Sequence, residues 1–183
     1  MFKKLSYEWE ECFLMLEEKI PYFAYGSNLS VKRIESRLGQ VEVLRTNVKL
    51  LGHTLEFHKA GSDGSAKADV IFCKDRDSYV LGVIYLLSKP QEKVLDQFEG
   101  LGTGYNKKLV DLFDEQGGYL QAMTYYAIKT RRGMLPYRWY LEHIIKGASE
   151  HGLHTDYIAF LKETASTEDI DRKRALLEFS IYL

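Results

Sequence analysis

The chain has 183 residues, 45% of them hydrophobic and 28% charged, enough for one domain with a proper core. Its 25 basic and 26 acidic residues leave a formal net charge of -1. That balance argues against nucleic acid as the main partner, since phosphate backbones call for a concentrated basic surface, and the one basic knot (Lys129, Arg131, Arg132) is too short to supply it.

In chain order, residues 6–20 have amphipathic helical spacing, with Trp9, Phe13, Leu16 and Ile20 on one face, and we take 1–20 as an N-terminal helix docked on a domain spanning 21–183. Its acidic residues leave no apolar h-region for a secretory signal, and no run of about 18 apolar residues is present to span a membrane. Residues 22–25 read as the first strand. A short helix follows over 31–38, capped by Ser30 and ended by Gly39. Residues 41–59 read as one or two strands, and 61–69 (GSDGSAKAD) as a loop by composition. Strands follow at 68–74 and 78–88, the second almost continuously apolar and therefore central. Ser88, Pro90 and Gln91 form a capping box for a helix over 89–99, with Gly100 as terminator. Strands at 105–113 and 119–128 are joined by a hairpin turn, DEQGG, and the chain from Pro136 onward reads as helical. The sum is an α+β fold with a mixed or barrel-like sheet and a helical tail.

Most familiar chemical motifs are absent. The 61–69 stretch lacks the GK[ST] ending of a phosphate loop, so it is a plain loop or a lid over a site. None of the five histidines (His53, His58, His143, His151, His154) belongs to an HExxH pair, and surface or packing roles are expected, with no metal. Cys12 and Cys73 have no CxxC partner; Cys73 is expected to pack as a small hydrophobe, and two free thiols suit a reducing cytoplasm. Ser27 follows a strand and a glycine but lacks the second glycine of a nucleophile elbow.

Two features stand out. The stretch PYFAYGSNLS (21–30) ends a strand in Gly-Ser-Asn before a helix, where backbone N–H groups either make a simple turn or form an oxyanion pocket. Glu99 lies in the last turn of its helix, on the unfavourable side of the macrodipole by about 0.3–1 kcal/mol. It is about 40° beyond Leu95 on the wheel at 100° per residue, at the edge of a predicted apolar face of Val94, Leu95 and Phe98. Both circumstances disfavour the charged carboxylate and suit a proton carrier. Glu92 and Asp96 fall further round and are expected to be solvated.

YFAYGSNL (22–29), LDQFEG (95–100) with a glycine-containing stretch leading to Tyr105, and PYRWYLEHIIKGASEHGL (136–153), in that order, resemble the γ-glutamylcyclotransferase (AIG2-like) family. The resemblance implies a small mixed β-barrel flanked by helices, with Glu99 as catalytic acid/base. It implies a substrate-binding loop at Tyr25, Gly26, Ser27, Asn28 and Leu29, a substrate contact at Tyr105, and a homodimer. The activity implied is cyclisation of a γ-glutamyl group to 5-oxoproline with release of an amine or amino acid, without a cofactor. Arg131 or Arg132 is the candidate to meet a substrate carboxylate. An internal attack needs no protein nucleophile, which accords with the missing Cys/His and Ser/His pairs. The alternative expectation is a non-catalytic small-molecule binding module on the same fold; a third is an interaction protein using the N-terminal helix and the 167–183 tail.

Overall fold

The computed structural model describes residues 19–75 and 77–183. The N-terminal helix expected over 1–20 lies outside the described residues except at its end, where Ile20 opens the first strand, β1 (Ile20–Ala24). The chain then turns through a single 3₁₀ helix, Ser27–Leu29, into α1 (Val31–Leu38). Ser30 caps α1 by accepting from the Arg33 N–H, and Gly39 ends it with φ 72°.

Strands β2 (Glu42–Leu51) and β3 (His53–Ala60) are separated by Gly52, in the left-handed region at φ 66°. The stretch expected as a loop over 61–69 is shorter than its composition suggests. Only 61–65 turn, and Ala66 already begins β4 (Ala66–Phe72). Alternation through Ala66, Ala68 and Val70, all buried, overrides the turn-forming look of the sequence. Cys73, just beyond β4, is half-buried with Sγ facing the Asp75 carbonyl at 3.5 Å, not packed in the core as expected.

β5 (Tyr79–Leu87) is central as predicted, hydrogen-bonded to β1 on one side and to β2 on the other. Its apolar run is explained by burial of both faces, from Val80 through Tyr85. β6 (Tyr105–Phe113) and β7 (Tyr119–Ala127) form a hairpin. The order β1-β5-β2-β6-β7 closes a five-stranded barrel, with β1 and β7 parallel and the other pairs antiparallel. The β3–β4 hairpin stands apart from the barrel. It is tied to β7 by Asp69, which accepts from the Ala127 N–H at 2.8 Å, and to β6 by the Tyr105 hydroxyl, which donates to the Ala68 carbonyl at 2.7 Å.

Helix α2 (Lys89–Glu99) has the predicted capping box and Gly100 in the left-handed conformation at its end. Its predicted apolar face is narrower than expected: Leu95 is buried, whereas Val94 and Phe98 are 37% and 55% exposed. Asp96 and Glu92 are not simply solvated either. Both pair with Lys107, and Asp96 also accepts from the Tyr125 hydroxyl at 2.6 Å.

The last third folds into α3 (Arg138–Glu150), α4 (Thr155–Glu163) and α5 (Arg172–Ser180), with residues 167–171 outside the helix expected there. Gly147 of α3 lies directly on the turn after β1; a Cβ there would sit 2.2 Å from the Leu29 carbonyl carbon and the Ser30 nitrogen. The Gly-Ala pair in that helix therefore has a packing reason, because only glycine lets the helix rest on the backbone of the YGSNL turn. Among the described residues no helix is long and apolar enough to cross a membrane.

Candidate active site

The barrel end at the C-terminus of β1 carries a cleft of about 290 Å³ lined by Tyr22, Tyr25, Gly26, Ser27, Asn28, Ala68, Glu99, Tyr105, Tyr125 and Tyr140. It adjoins a wider vestibule of about 700 Å³, with which it shares Ser27, Glu99, Tyr105 and Tyr140. Glu99 thus stands at the junction of two spaces. The αL turn at Gly100 ends α2 there, so the carboxylate is held at the mouth of the inner cleft.

Two donors converge on one oxygen of that carboxylate. Asn28 Nδ2 donates to Glu99 Oε1 at 3.0 Å, and Arg37 Nη1 lies 3.2 Å from the same atom. Asn28 Nδ2 also donates to the Tyr22 hydroxyl at 2.9 Å, while its Oδ1 accepts from Arg37 Nη1 at 2.8 Å. The amide is therefore a connector between the turn, α1 and α2. Arg37 sits in the last turn of α1, where a cation suits the helix dipole, and Glu99 in the last turn of α2, where an anion does not. Bringing the two helix ends together lets the guanidinium offset the misplaced carboxylate. The Arg37 and Glu99 side chains are each only 15% exposed, so this pair is little screened.

Aromatic hydroxyls line the rest of the inner cleft. Tyr25 donates to the Tyr125 carbonyl at 2.7 Å, and Tyr105 and Tyr125 are likewise committed as donors, to Ala68 and Asp96. Tyr22 and Tyr140 act as acceptors, Tyr140 from the Ala68 N–H at 3.0 Å, so each retains an O–H to donate. Burial raises the pKa of Tyr22, Tyr25, Tyr105 and Tyr125 well above the ordinary phenol range and pushes Tyr140 to about 12. These hydroxyls stay protonated at neutral pH.

The turn itself supplies backbone donors. Leu29 N bonds back to the Gly26 carbonyl and Ser30 N to that of Ser27, whereas first-turn N–H groups such as those of Ser27 and Asn28 have no partner within their own helix. Gly26 keeps the turn close to its surroundings, since an added Cβ would stand 3.4 Å from both the Ala68 Cβ and the Tyr140 hydroxyl.

The residues singled out from sequence are thus brought together in part. Tyr25, Gly26, Ser27, Asn28, Glu99 and Tyr105 line one cleft. Leu29 does not: it is fully buried behind the turn, and its carbonyl accepts from the Tyr85 hydroxyl at 2.9 Å. Arg131 does not either, being exposed and held by its backbone N–H to the His58 carbonyl at 2.7 Å. The cations beside Glu99 are instead Arg33, Arg37, Lys59, Lys67 and Arg174. Sequence reasoning missed Arg37 above all, although its spacing of four from Arg33, on the helix fused to the YGSN turn, was a usable signal. Tyr22, Tyr125 and Tyr140 were also missed, since nothing local distinguishes a cleft tyrosine from a core one.

A small closed barrel thus holds a carboxylate at one end, between a Gly-Ser-Asn turn and a helix terminus. Residues 79–161 match the family model of the AIG2-like family. Among solved structures, a γ-glutamyl cyclotransferase superposes with a TM-score of 0.80 at 23% identity, covering 90% of this chain and 99% of that one. The uncharacterized human protein loc79017 follows with a TM-score of 0.79 at 24% identity, covering 91% and 100%. A yeast γ-glutamyl cyclotransferase specific to glutathione has a TM-score of 0.57 at 13% identity, covering 79% and 94%. No curated protein matches the chain. The AIG2-like match covers 83 of the 183 residues, and over nearly its whole length the chain shares the fold of γ-glutamyl cyclotransferase.

Proposed function

We propose that this protein is a γ-glutamylcyclotransferase-like enzyme that closes a γ-glutamyl group to 5-oxoproline and releases the attached amine or amino acid. The observation that carries this reading is Glu99, held by Asn28 and Arg37 at the junction of a small cleft and an open vestibule. The inner cleft receives the glutamyl part, and the vestibule receives whatever leaves.

The reaction is internal. The substrate's α-nitrogen attacks its own γ-carbonyl, a five-membered ring forms, and the bond from the γ-carbon to the leaving nitrogen breaks. In the process the attacking nitrogen sheds two protons and the leaving nitrogen gains two. Glu99 is the group placed to carry them, as base first and acid afterwards. The remaining oxygen of its carboxylate, Oε2, is the one turned to the substrate, because Oε1 is engaged by Asn28 and Arg37. The oxyanion formed at the γ-carbon is met by the N–H groups of the 26–28 turn and by the O–H groups of Tyr22 and Tyr140. One such preorganised donor is typically worth about 3–4 kcal/mol. The aromatic walls fold the flexible glutamyl chain into a near-attack shape, which supplies the entropic share of the rate.

The test compares 5-oxoproline release by the parent and Glu99→Gln from γ-glutamyl-alanine, γ-glutamyl-ε-lysine, glutathione and a γ-glutamyl amine. The parent is expected to release it from at least one, and the isosteric variant to lose nearly all turnover while keeping its melting temperature. Equal turnover by the variant would sink the role of Glu99. Silence of the parent on the whole panel, with binding retained, would indicate a non-catalytic binding module.

A further inference from the structure

The vestibule outside Glu99 carries five cations, but four are neutralised in place. Arg33 pairs with Glu178, Arg37 with Glu99, Lys67 with Asp63, and Arg174 with Asp169. Lys59 is the exception: among the described residues, no carboxylate comes within the 4.0 Å of an ion pair with its ammonium. Its Nζ lies instead 5.0 Å above the Tyr105 ring and against Gly104, where a Cβ would come within 3.2 Å.

The position is built, not incidental. Lys59 is the penultimate residue of β3, where its backbone pairs with Lys67 across the hairpin and bridges to Thr130. The side chain is half-buried, and burial pulls its pKa below the ordinary lysine value against the attraction of Glu99 and Asp63, with Lys129 adding to the drop. A partly desolvated ammonium whose nearest carboxylates stay beyond ion-pair distance is poorly compensated, and a bound anion relieves it. Lys59 lines the vestibule and not the inner cleft, while Tyr105, beneath its ammonium, borders both. Its charge therefore faces the part of a substrate that lies beyond the scissile bond.

We infer that Lys59 determines leaving-group specificity by binding a carboxylate next to the leaving nitrogen, so that γ-glutamyl amino acids are preferred over neutral γ-glutamyl amines. This inference rests on the cyclisation reading above.

A matched pair of substrates tests it: γ-glutamyl-alanine and its neutral counterpart γ-glutamyl-alaninamide, both of which keep the glutamyl α-carboxylate. The rate of 5-oxoproline release is measured for the parent, Lys59→Met and Lys59→Arg, with thermal melts to show that all three are folded. The parent is expected to favour the acid by about tenfold in kcat/KM, the scale of one partly screened charge-assisted contact. Lys59→Met is expected to erase that preference through a higher KM for the acid, with the amide affected several-fold less, and Lys59→Arg to restore most of it. An active parent with no preference overturns the inference while leaving cyclisation intact. So does equal slowing of both substrates in Lys59→Met, which would assign Lys59 to the glutamyl carboxylate or to packing. A parent inactive on both substrates, and on the wider panel, removes the cyclisation reading and this inference with it.

Discussion

Replacing Gly147 by alanine sets two effects of known size against each other. Alanine in a helix interior is better than glycine by about 1 kcal/mol, so local propensity alone predicts stabilisation. The structure predicts the opposite. The new Cβ would lie 2.2 Å from the Leu29 carbonyl carbon and the Ser30 nitrogen and 2.6 Å from the Leu29 Cβ, where ordinary contact begins at 3.4 Å. Two of these three atoms are backbone, so relief requires α3 and the turn after β1 to part by about an ångström, not a rotamer change. Overpacking of this kind costs about 1–3 kcal/mol, and contact with backbone puts it at the upper end. Net of the propensity gain, about 1–2 kcal/mol is lost, which lowers Tm by roughly 2–8 °C for a chain of this size. The displaced turn carries Ser27 and Asn28 of the cleft, so 5-oxoproline release falls further than stability does. Thermal unfolding followed by circular dichroism reads the first effect, with Ser149→Ala, at an exposed position two residues on, as the near-neutral control. A Tm for Gly147→Ala equal to or above that of the parent would refute the close approach and the packing reason given for this glycine.

Beyond the tests of Glu99→Gln and Lys59→Met, two outcomes are expected. Arg37→Met removes the guanidinium from Glu99 Oε1 and Asn28 Oδ1 but keeps the aliphatic stem; kcat is expected to fall roughly tenfold to a hundredfold, the loss for a charged hydrogen bond of about 1.5–3 kcal/mol, with a lower Tm because the mostly buried carboxylate loses its counter-ion. An unchanged kcat would show that Glu99 is positioned without Arg37. Burial pulls the pKa of both His143 and His151 below 6.5, against the hydrogen bonds that their rings donate to Glu178 and to the Leu29 carbonyl respectively, with Arg33 adding to the drop at His143. As pH falls below about 6.5 the unfolded chain takes up these protons before the folded one, so stability is full above that pH and declines beneath it. Melts at pH 7.5 and pH 5.5 should show the lower Tm at 5.5, and equal values would contradict the buried neutral state.

Local sequence was sufficient wherever short-range chemistry decides. The capping box of α2, the αL glycine after Glu99, the Ser30 cap, the β6–β7 turn and the buried β5 were all legible, because each depends on neighbours within a few residues or on an unbroken apolar run. The resemblance also led to the expectation that Glu99 lies beside the 25–28 turn, and the two line one cleft. Tertiary structure alone decided the remainder. Arg131 was the basic candidate the resemblance suggested, yet it is exposed, and Lys59, from the β3–β4 hairpin outside the barrel, lines the vestibule instead. Asp96 and Glu92 looked solvated on the helical wheel, but Lys107 of β6 reaches both. The pairing of Arg37 with Glu99 joins two helix ends 62 positions apart, and no periodicity encodes which helix ends will meet. Propensity and capping act through local backbone geometry, whereas the charge surrounding a carboxylate depends on which helices and hairpins pack around it.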